Sequence, residues 1–553
     1  MKPDLPRYKT SDEVDFVIVG SGAAGGIMAK ELSTNGFRVV VLEQGPYLTE
    51  ADFVHDEIKV LNQDLLTNKP KLQPTSFRKT PNEKAKPQRA LVYGRCVGGT
   101  SVHFTANFWR FHEIDFVERS KIGPVPGADL RDWPITYADL EPYYSKVEWE
   151  IGVSGLAGAS PFDPPRSKPY PMPPLPVKSS GVILERAARK LGWHPFPAPM
   201  AILSQPRPGR SACVNCGFCL AFGCEVGAKS SSLAAAIPVA EKTGRCEIRP
   251  NSYVHRIEMD SNGRVTGAVY FDEKRNTHLQ KARAVIVCAN GAETPRLLLL
   301  SANKQFPNGL ANSSGIVGKY LMLNSGGVAI GVFEHQLNDY KGFAVSRLFH
   351  DFYELDAQKV GFYGGGGIDA RFDLTPVSFA LGALPPNTPR WGKGFKDTLA
   401  HNFTRTMEIF SHGTSLPMET NSFSLDPDLK DAWGLPALCL TYKDHPDDIK
   451  LANWLRQRAL ELLDAAGAQQ KWAPTISEQQ FAVHLLGTCR MGNDPKTSVI
   501  NSDHRTHDVK NLFLCDGSSL VTSGRGQPTM TIEALAFRAA DRITALARRG
   551  EIT

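Results

Sequence analysis

Short, mostly apolar runs open the chain, and glycine separates them. Residues 14–19 (VDFVIV) are followed by GSGAAG, a stretch of helical spacing that closes near Gly36, and a second apolar run, FRVVVLEQG. This order predicts a strand, a glycine turn, a helix and a second strand, the βαβ unit of dinucleotide-binding folds.

Later segments continue the alternation of strand and helix. ARAVIVCANG (282–291) predicts a buried strand that ends at glycine, and TPRLLLLS predicts a helix with Pro295 in its first turn. Residues 444–468 contain a long amphipathic helix, and residues 531–549 predict a final one. Alternating and aromatic-rich segments between residues 303 and 482 predict a mixed sheet with flanking helices. Proline-rich stretches at 164–176 and 383–393 predict surface loops.

The first glycine turn has the pattern G-x-G-x-x-G, formed by Gly20, Gly22 and Gly25. The first glycine allows the tight turn, the second lets the backbone approach a pyrophosphate, and the third lets helix and strand pack closely. Glu43 stands at the end of the second predicted strand, where a carboxylate binds ribose hydroxyls. The sequence therefore predicts a nucleotide site, since strand, turn, helix and acid occur together.

Composition narrows the class of protein. Of the 553 residues, 42% are hydrophobic and 22% charged, as in ordinary globular proteins, and the net charge of +6 comes from scattered Lys and Arg. No basic block predicts a nucleic-acid partner. No apolar run reaches the roughly 18 residues of a membrane span, and the polar N-terminus does not resemble a signal peptide. We expect a protein of the cytoplasm, or one exported to the bacterial periplasm with a signal-bearing partner.

Five blocks, taken together, resemble the glucose–methanol–choline (GMC) oxidoreductase family in order and approximate spacing. They are DFVIVGSGAAGGIMAKELSTNG, GRCVGGTSVHFTANFWR, IVCANGAETPRLLLLS, HLLGTCRMG and NLFLCDGSSLVTSGRGQPTMTIEALAFRAAD. The resemblance implies FAD bound in an extended form, with Asp516 and the N-terminus of the last helix near the flavin.

The family's architecture gives the expected fold class. This is α/β, with a Rossmann-like FAD-binding domain of the GMC type and a second, substrate-binding domain on a mixed or antiparallel sheet with helices. We expect a discontinuous FAD-binding domain of residues 1–115, 210–302 and 484–553. The substrate-binding domain would comprise residues 116–209 and 303–483, and residues 211–229 would form a cysteine-rich insertion.

The resemblance also implies the chemistry. Family members oxidise an alcohol: a base takes the hydroxyl proton, and hydride passes to flavin N5. The matching base is His484, which heads H-x-x-G-T-x-x-M-G, and imidazole suits the role because its pKa lies near neutrality. The family's second polar residue, usually His or Asn, is Gln527 here. Because an amide is not a base at neutral pH, Gln527 would orient the hydroxyl beside His484.

The second glycine cluster should pass close to the flavin ring, and Gly98, Gly99 and Thr100 belong to it. His103 stands where some relatives, among them the pyranose oxidases, attach FAD covalently. Other relatives with a histidine here bind FAD without that link, so both forms remain open. Asn107 would contact the flavin or the substrate.

Four of the ten cysteines are crowded into C-x2-C-x2-C-x4-C, formed by Cys213, Cys216, Cys219 and Cys224. The spacing is close to that of bacterial ferredoxins and favours an iron–sulfur cluster, with zinc or unliganded thiols as alternatives. FAD-dependent sugar dehydrogenases of the family carry a comparable insertion that binds a three-iron cluster. The present spacing differs from theirs, so three or four irons remain open.

These features predict an FAD-dependent dehydrogenase that acts on a sugar, glycoside or sugar acid and passes electrons through the cluster to another protein. Relatives of this kind work with a small companion subunit and often a cytochrome c. The alternatives are a pyranose-oxidase-like enzyme that produces hydrogen peroxide, an alcohol or sterol dehydrogenase without a cluster, and a flavoprotein subunit without catalytic activity.

Overall fold

The computed structural model describes residues 8–552. Its strands are β1 Val14–Val19, β2 Val39–Leu42, β3 Thr75–Arg78, β4 Lys86–Pro87, β5 Phe196–Pro197, β6 Cys246–Arg249, β7 Tyr253–Met259, β8 Val265–Phe271, β9 Thr277–Val287, β10 Ser325–Val332, β11 Val345–Phe349, β12 Gly366–Arg371, β13 Thr406–Gly413, β14 Ser422–Lys430, β15 Pro436–Thr441, β16 Gln470–Trp472 and β17 Leu512–Leu514.

The α-helices are α1 Ala23–Thr34, α2 Glu113–Phe116, α3 Glu118–Ile122, α4 Tyr137–Val147, α5 Ser179–Lys190, α6 Ser232–Ala235, α7 Ile237–Lys242, α8 Asn290–Leu300, α9 Ala357–Val360, α10 Pro376–Gly382, α11 Gly392–Phe403, α12 Pro446–Ala466 and α13 Thr529–Arg548. Short 3₁₀ turns occur at Glu50–Asp52, Gly99–Val102 and Gly517–Ser519, and π turns at Ile58–Asn62 and Glu148–Gly152. No helix within the described range is both long and apolar enough to cross a bilayer.

The first sheet has a parallel centre in the order β6-β2-β1-β9, and β17 also pairs with β9 in parallel. The first half of the long β9 pairs instead with β8, and β8 and β7 extend the sheet in antiparallel fashion. Helix α1 packs against α7 and α13. The predicted Rossmann-like unit is confirmed, and its strands come from both ends and from the middle of the chain.

The second sheet has the order β16-β10-β13-β12-β11-β5, and all of these neighbours are antiparallel. Helix α12 packs across β10 and β13, and α5 lies beside it. Helix α12 begins with Pro446 after a His445 cap and ends at Gly467, whose φ of +82° suits glycine. This sheet therefore has one face against helices and one face free to line a site.

A third sheet joins segments that are far apart in the chain, in the order β14-β15-β3-β4. Strand β15 pairs with β3 in parallel, so residues 75–87 are attached to residues 422–441. The expected domain boundaries place these two segments in different domains, and those boundaries stay a prediction.

The helix expected to begin just before Pro295 begins earlier, at Asn290, so the prediction that Pro295 lies in the first turn is wrong. A proline inside a helix removes the hydrogen bond to the carbonyl four residues earlier. That carbonyl belongs to Gly291, and the Thr488 hydroxyl donates to it at 2.7 Å. A side chain from a distant segment thus replaces the missing backbone donor.

Candidate active site

A cavity of about 680 Å³ extends between the carboxyl ends of β1 and β2 and the free face of the second sheet. The glycine turn after β1 lines one part of it, while His484, Gln527 and residues of β10 and β13 line another. Residues from both ends and from the middle of the chain therefore meet in one site.

The glycine turn is closely packed. Gly20 has a φ of +91°, and a Cβ there would lie 2.5 Å from the carbonyl oxygen of Cys288. A Cβ on Gly25 would lie 2.0 Å from the Gly20 carbonyl oxygen, which explains why helix and turn can be this close only with glycine. Gly22 faces the cavity, and a Cβ on Gly99 would lie 2.8 Å from its Cα. The two predicted glycine clusters are thus brought together.

Glu43 stands where the sequence predicts it, at the end of β2 on the cavity wall. Its carboxylate accepts hydrogen bonds from the Ser21 amide at 3.1 Å, the Ser21 hydroxyl at 2.7 Å and the Gly45 amide at 2.9 Å. Burial raises the pKa of Glu43, and these hydrogen bonds oppose the rise. The acid that would bind ribose is therefore held in place by the glycine turn itself.

Asp516 lies on the cavity wall, two residues after the end of β17. Its carboxylate accepts from the Thr294 hydroxyl at 2.5 Å, the Ser518 amide at 2.8 Å and the Asn290 amide at 3.1 Å. Burial raises its pKa. The N-terminus of α13 also reaches the cavity through Thr529, so a helix end with its partial positive charge faces the site.

The second glycine cluster forms a turn in which Gly98 has a φ of +95°. Gly99, Thr100 and His103 line the cavity. Burial and the nearby Lys229 ammonium lower the pKa of His103 to about 4, and its Nε2 has no hydrogen-bond partner within residues 8–552. A neutral imidazole with an open nitrogen on this wall is compatible with both expected modes of FAD contact, and covalent attachment stays a prediction.

Asn107 is buried and lies outside the residues that line the cavity. Its amide nitrogen donates to the Asp369 carboxylate at 3.0 Å. The expected contact of Asn107 with flavin or substrate stays a prediction, and its observed partner belongs to the second sheet.

His484 is half-buried on the cavity wall, and its Nδ1 lies 2.9 Å from the Asn324 side-chain oxygen. The Asn324 amide nitrogen faces the carbonyl oxygens of Gly413, Ser523 and Gly524 at 3.2–3.3 Å. Because those carbonyls require the nitrogen as donor, the Asn324 oxygen must accept from Nδ1–H. The neutral ring then has its Nε2 lone pair free, as a base requires.

The environment keeps His484 neutral. Burial, together with the charges of His412 and Arg371, lowers its pKa to about 4. A neutral imidazole at pH 7 can accept a proton, so the lowered pKa and the tautomer that Asn324 sets both favour His484 as a base.

Gln527 lines the cavity, and its amide nitrogen lies 3.3 Å from Nδ1 of His412. His412 and Arg371 also line the cavity, and both contact the buried Asp369. Sequence reasoning did not include these three residues in the site. The usable signal was strand alternation, which places Asp369 and Arg371 on one face of β12.

The four clustered cysteines occupy one irregular loop, in which Cys216 is exposed and the other three are partly exposed. Burial raises the pKa of Cys219 to about 12, and the other three thiols add to the rise. Within residues 8–552, no group of three or more His, Cys, Asp or Glu side chains is placed to hold a metal ion. The donors have the right chemistry for a cluster, but their side chains do not converge.

This cysteine loop nevertheless borders the cavity. Leu220 lines the cavity, and the Ala221 amide donates to the His103 carbonyl at 2.7 Å. The loop therefore connects the wall that carries His103 with the protein surface at Cys216.

The fold and the cavity are those of a dinucleotide-binding protein whose site lies between a Rossmann-like sheet and an antiparallel sheet. GMC oxidoreductase family models match residues 14–324 and 417–536. The chain is 36% identical to 2-methyl-1,2-propanediol dehydrogenase of Mycolicibacterium austroafricanum, over 97% of this chain and 96% of that protein. It is 31% identical to the fructose dehydrogenase large subunit of Gluconobacter japonicus, over 96% and 97%. The chain belongs to the GMC oxidoreductase family, as its sequence predicts.

Other comparisons agree on the family and the fold. The gluconate 2-dehydrogenase flavoprotein of Pantoea cypripedii is 28% identical over 96% of this chain and 93% of its own. Among solved structures, pyridoxine 4-oxidase from Mesorbium loti superimposes with a TM-score of 0.64 at 16% identity, over 96% of this chain and 98% of its own. Formate oxidase gives a TM-score of 0.66 at 14% identity, over 99% and 100%. These two structures share the fold.

Proposed function

We propose that this enzyme is an FAD-dependent dehydrogenase that oxidises a hydroxyl of a sugar, glycoside or sugar acid to a carbonyl. The observation that carries the proposal is the His484–Asn324 hydrogen bond of 2.9 Å, in the same cavity as the nucleotide-binding glycine turn. When bound, the flavin accepts hydride.

His484 acts as the base. Asn324 holds Nδ1–H, so Nε2 takes the proton of the substrate hydroxyl as the carbon gives up hydride. Gln527 cannot take a proton at neutral pH and serves instead to orient the hydroxyl. Glu43 and the glycine turn would hold the nucleotide half of FAD, and Asp516 and the start of α13 would contact its flavin half.

The substrate class rests on the relatives. Those named for fructose and gluconate oxidation support a polyhydroxy substrate. The 36% identity to a 2-methyl-1,2-propanediol dehydrogenase supports a second candidate, a small aliphatic diol.

The direct test is anaerobic reduction of the FAD-loaded protein by a panel of sugars, sugar acids and small diols, followed by absorbance. Bleaching by a member of the panel, at a rate that matches steady-state turnover with an artificial dye, is the expected result. A flavin that no member of the panel reduces would contradict the proposal.

We further propose that the cysteine loop binds an iron–sulfur cluster that passes electrons to a partner, after its side chains turn toward a common centre. The C-x2-C-x2-C-x4-C spacing and the position of the loop between cavity and surface support this. Iron and acid-labile sulfide should be three or four per FAD in anaerobically purified protein. A protein free of iron, with Cys216→Ser as active as the wild type toward its partner, would refute the cluster.

The partner would be a small companion subunit, with a cytochrome c as a possible further acceptor, and the companion would carry the signal for joint export to the periplasm. The name "large subunit" of one relative is compatible with such an assembly. Co-expression with the neighbouring reading frames and fractionation of the cells tests this: the enzyme should enter the periplasm only with the companion. A protein that stays in the cytoplasm in both cases favours the cytoplasmic alternative.

An oxidase remains the second reaction type, because relatives include a paromamine 6'-oxidase of Streptomyces fradiae at 27% identity. Peroxide formed in step with substrate consumption in air would favour it. Covalent FAD at His103 is tested separately: acid-denatured protein should retain yellow colour, and His103→Ala should release it. Colour in the wild-type supernatant would exclude the link.

A further inference from the structure

One face of the second sheet presents polar side chains to the cavity. In the pairing of β12 with β13, Gly367 lies opposite His412 and Asp369 opposite Phe410. Since side chains alternate along a strand, Asp369, Arg371, Phe410 and His412 share one face. Three of them, all except Asp369, line the cavity directly. The opposite face supplies the apolar contacts with α12.

His412 is held rigidly from one side. Its Nε2 lies 2.8 Å from an Asp369 carboxylate oxygen and 2.9 Å from a guanidinium nitrogen of Arg371. The edge of Trp109 packs against the ring, with centroids 5.8 Å apart, and a Cβ on Gly367 would lie 2.8 Å from Trp109. Nε2 is therefore occupied by Asp369 and Arg371, whereas Nδ1 has a long contact of 3.3 Å with the Gln527 amide nitrogen, which a ligand would share or replace.

Asp369 keeps a negative charge in this position. It is fully buried, and burial raises its pKa, but Arg371 and His412 outweigh that effect and hold the pKa at about 2. The amide of Asn107 adds a hydrogen bond at 3.0 Å. A buried carboxylate with such partners orients an imidazole without exchanging protons at neutral pH.

The His412 ring lies beside the residue that would orient the reacting hydroxyl. The Gln527 amide nitrogen is 3.3 Å from Nδ1 and 3.4 Å from Nε2. His484 stands on the same cavity wall, and its partner Asn324 donates to the carbonyl of Gly413, the residue after His412. A group bound between His484 and Gln527 therefore has His412 as its next polar neighbour.

We propose that His412 binds a second substrate hydroxyl, on the carbon next to the one that is oxidised, with Asp369 and Arg371 as positioning residues. The inference rests on the proposed function, since it assumes that His484 and Gln527 hold the reacting hydroxyl. A hydroxyl both donates and accepts, so it matches Nδ1 whether or not that nitrogen carries a proton. Sugars, sugar acids and 1,2-diols all carry such a neighbouring hydroxyl.

The experiment compares 1,2-propanediol with 1-propanol as reductants of the FAD-loaded enzyme under anaerobic conditions. His412→Ala should lower kcat/KM for the diol by about 10- to 100-fold, because a hydrogen bond made only by the second hydroxyl is lost. The rate with 1-propanol should fall by a smaller factor than the rate with the diol, because 1-propanol loses only the support that His412 gives to Gln527. Asp369→Asn should also lower the ratio of kcat/KM for the diol to kcat/KM for 1-propanol, by a smaller factor than His412→Ala. His412→Asn, which can still bind a hydroxyl, should recover part of the preference.

The matched control is His194→Ala, which removes a histidine–aspartate pair of the same kind at the surface, with His194 2.7 Å from Asp351. It should leave the diol-to-propanol ratio unchanged. The same unchanged ratio in His412→Ala and His412→Asn would overturn the proposed contact while leaving the dehydrogenase intact.

A binding readout separates this inference from the proposed function. Diol binding is followed by its perturbation of the flavin absorption spectrum. Wild-type protein that binds the diol, but whose flavin is reduced by no member of the panel of sugars, sugar acids and diols, would overturn the dehydrogenase. Weaker diol binding by His412→Ala would then still support the contact, and equal binding would overturn it. Wild-type protein that neither binds nor oxidises any polyol would overturn both.

Discussion

The two walls of the cavity are built by different means. On the nucleotide wall the contacts are set by the backbone: glycines at 20, 22, 25 and 99 let a turn, a helix and a second turn approach closely. On the substrate wall the contacts are set by side chains that cross strands, such as Asp369 on β12 and His412 on β13. The nucleotide is common to the family, whereas the substrate differs between relatives.

The difference between the two walls predicts where amino-acid substitutions are tolerated. The backbone contacts of the nucleotide wall fail when a Cβ is added at Gly20, Gly25 or Gly99, because other backbone atoms occupy that space. A side-chain network can exchange one hydrogen-bonding residue for another, as with Gln527 in place of the more usual His or Asn. We therefore expect substitutions in the nucleotide wall to remove the protein or its cofactor, and those in the substrate wall to change rates.

The largest effect is expected for Gly25→Ala. The added Cβ would lie 2.0 Å from a backbone oxygen, so α1 and the turn cannot both keep their places, and soluble FAD-containing protein should be lost. In Gly22→Ala the nearest atom is 3.9 Å away, so that variant should fold but bind FAD more weakly, because its methyl group enters the cavity.

Both variants are tested by the yield of soluble protein and by the FAD content per chain. Gly382→Ala is the control, since within residues 8–552 no atom from outside its own helix lies within 4 Å of the added Cβ. Normal FAD content in Gly25→Ala would contradict this prediction, because it would show that α1 and the glycine turn can move apart without loss of the nucleotide site.

His484→Ala should reduce kcat by about 10²- to 10⁴-fold while FAD stays bound, because a base is lost but no contact of the glycine turn changes. The measurement is single-turnover flavin reduction together with the visible spectrum. His507→Ala, on a half-buried histidine outside the cavity, serves as the control. A rate within about threefold of the wild type would remove His484 as the base.

The pH dependence of kcat/KM should report the protonation of His484. Because burial and the neighbouring charges lower its pKa to about 4, the base is neutral above that pH, and kcat/KM should fall only as the pH drops toward 4. In Asn324→Asp a carboxylate replaces the amide 2.9 Å from Nδ1 and stabilises the imidazolium, so the acid limb should move to higher pH. Asparagine and aspartate both tolerate the φ of +57° at this position. If the acid limb of kcat/KM lies at the same pH in Asn324→Asp and in the wild type, the group that titrates is not His484.

The smallest effect is expected for Thr488→Val. The Gly291 carbonyl would lose the hydroxyl that replaces the donor absent at Pro295, at a cost of about 1–3 kcal/mol in the free energy of unfolding, with little change in kcat. Thermal denaturation of the holoprotein measures it. In the double variant, Pro295→Ala restores a backbone donor and should recover part of the lost stability. If the effects of the two substitutions on the free energy of unfolding are simply additive, Thr488 does not compensate for Pro295.

The sequence predicted the parts of the site that depend on local order. The glycine turn and Glu43 after β2 follow from strand and turn patterns with short spacing, and Asp516 follows from the family resemblance. All three lie on or beside the cavity. The helix at Pro295 was misplaced because propensity cannot foresee a compensating hydroxyl from Thr488, 193 residues later in the chain.

The sequence by itself therefore determined the family and the Rossmann-like unit and pointed to His484 as the candidate base, because each rests on residues whose meaning is local or carried by a motif. Only the tertiary structure decided that Asn324 sets the tautomer of His484 and that Asp369, Arg371 and His412 form a polar face next to Gln527. These contacts join residues up to 160 positions apart, and the antiparallel register that creates them is a property of the packed sheet.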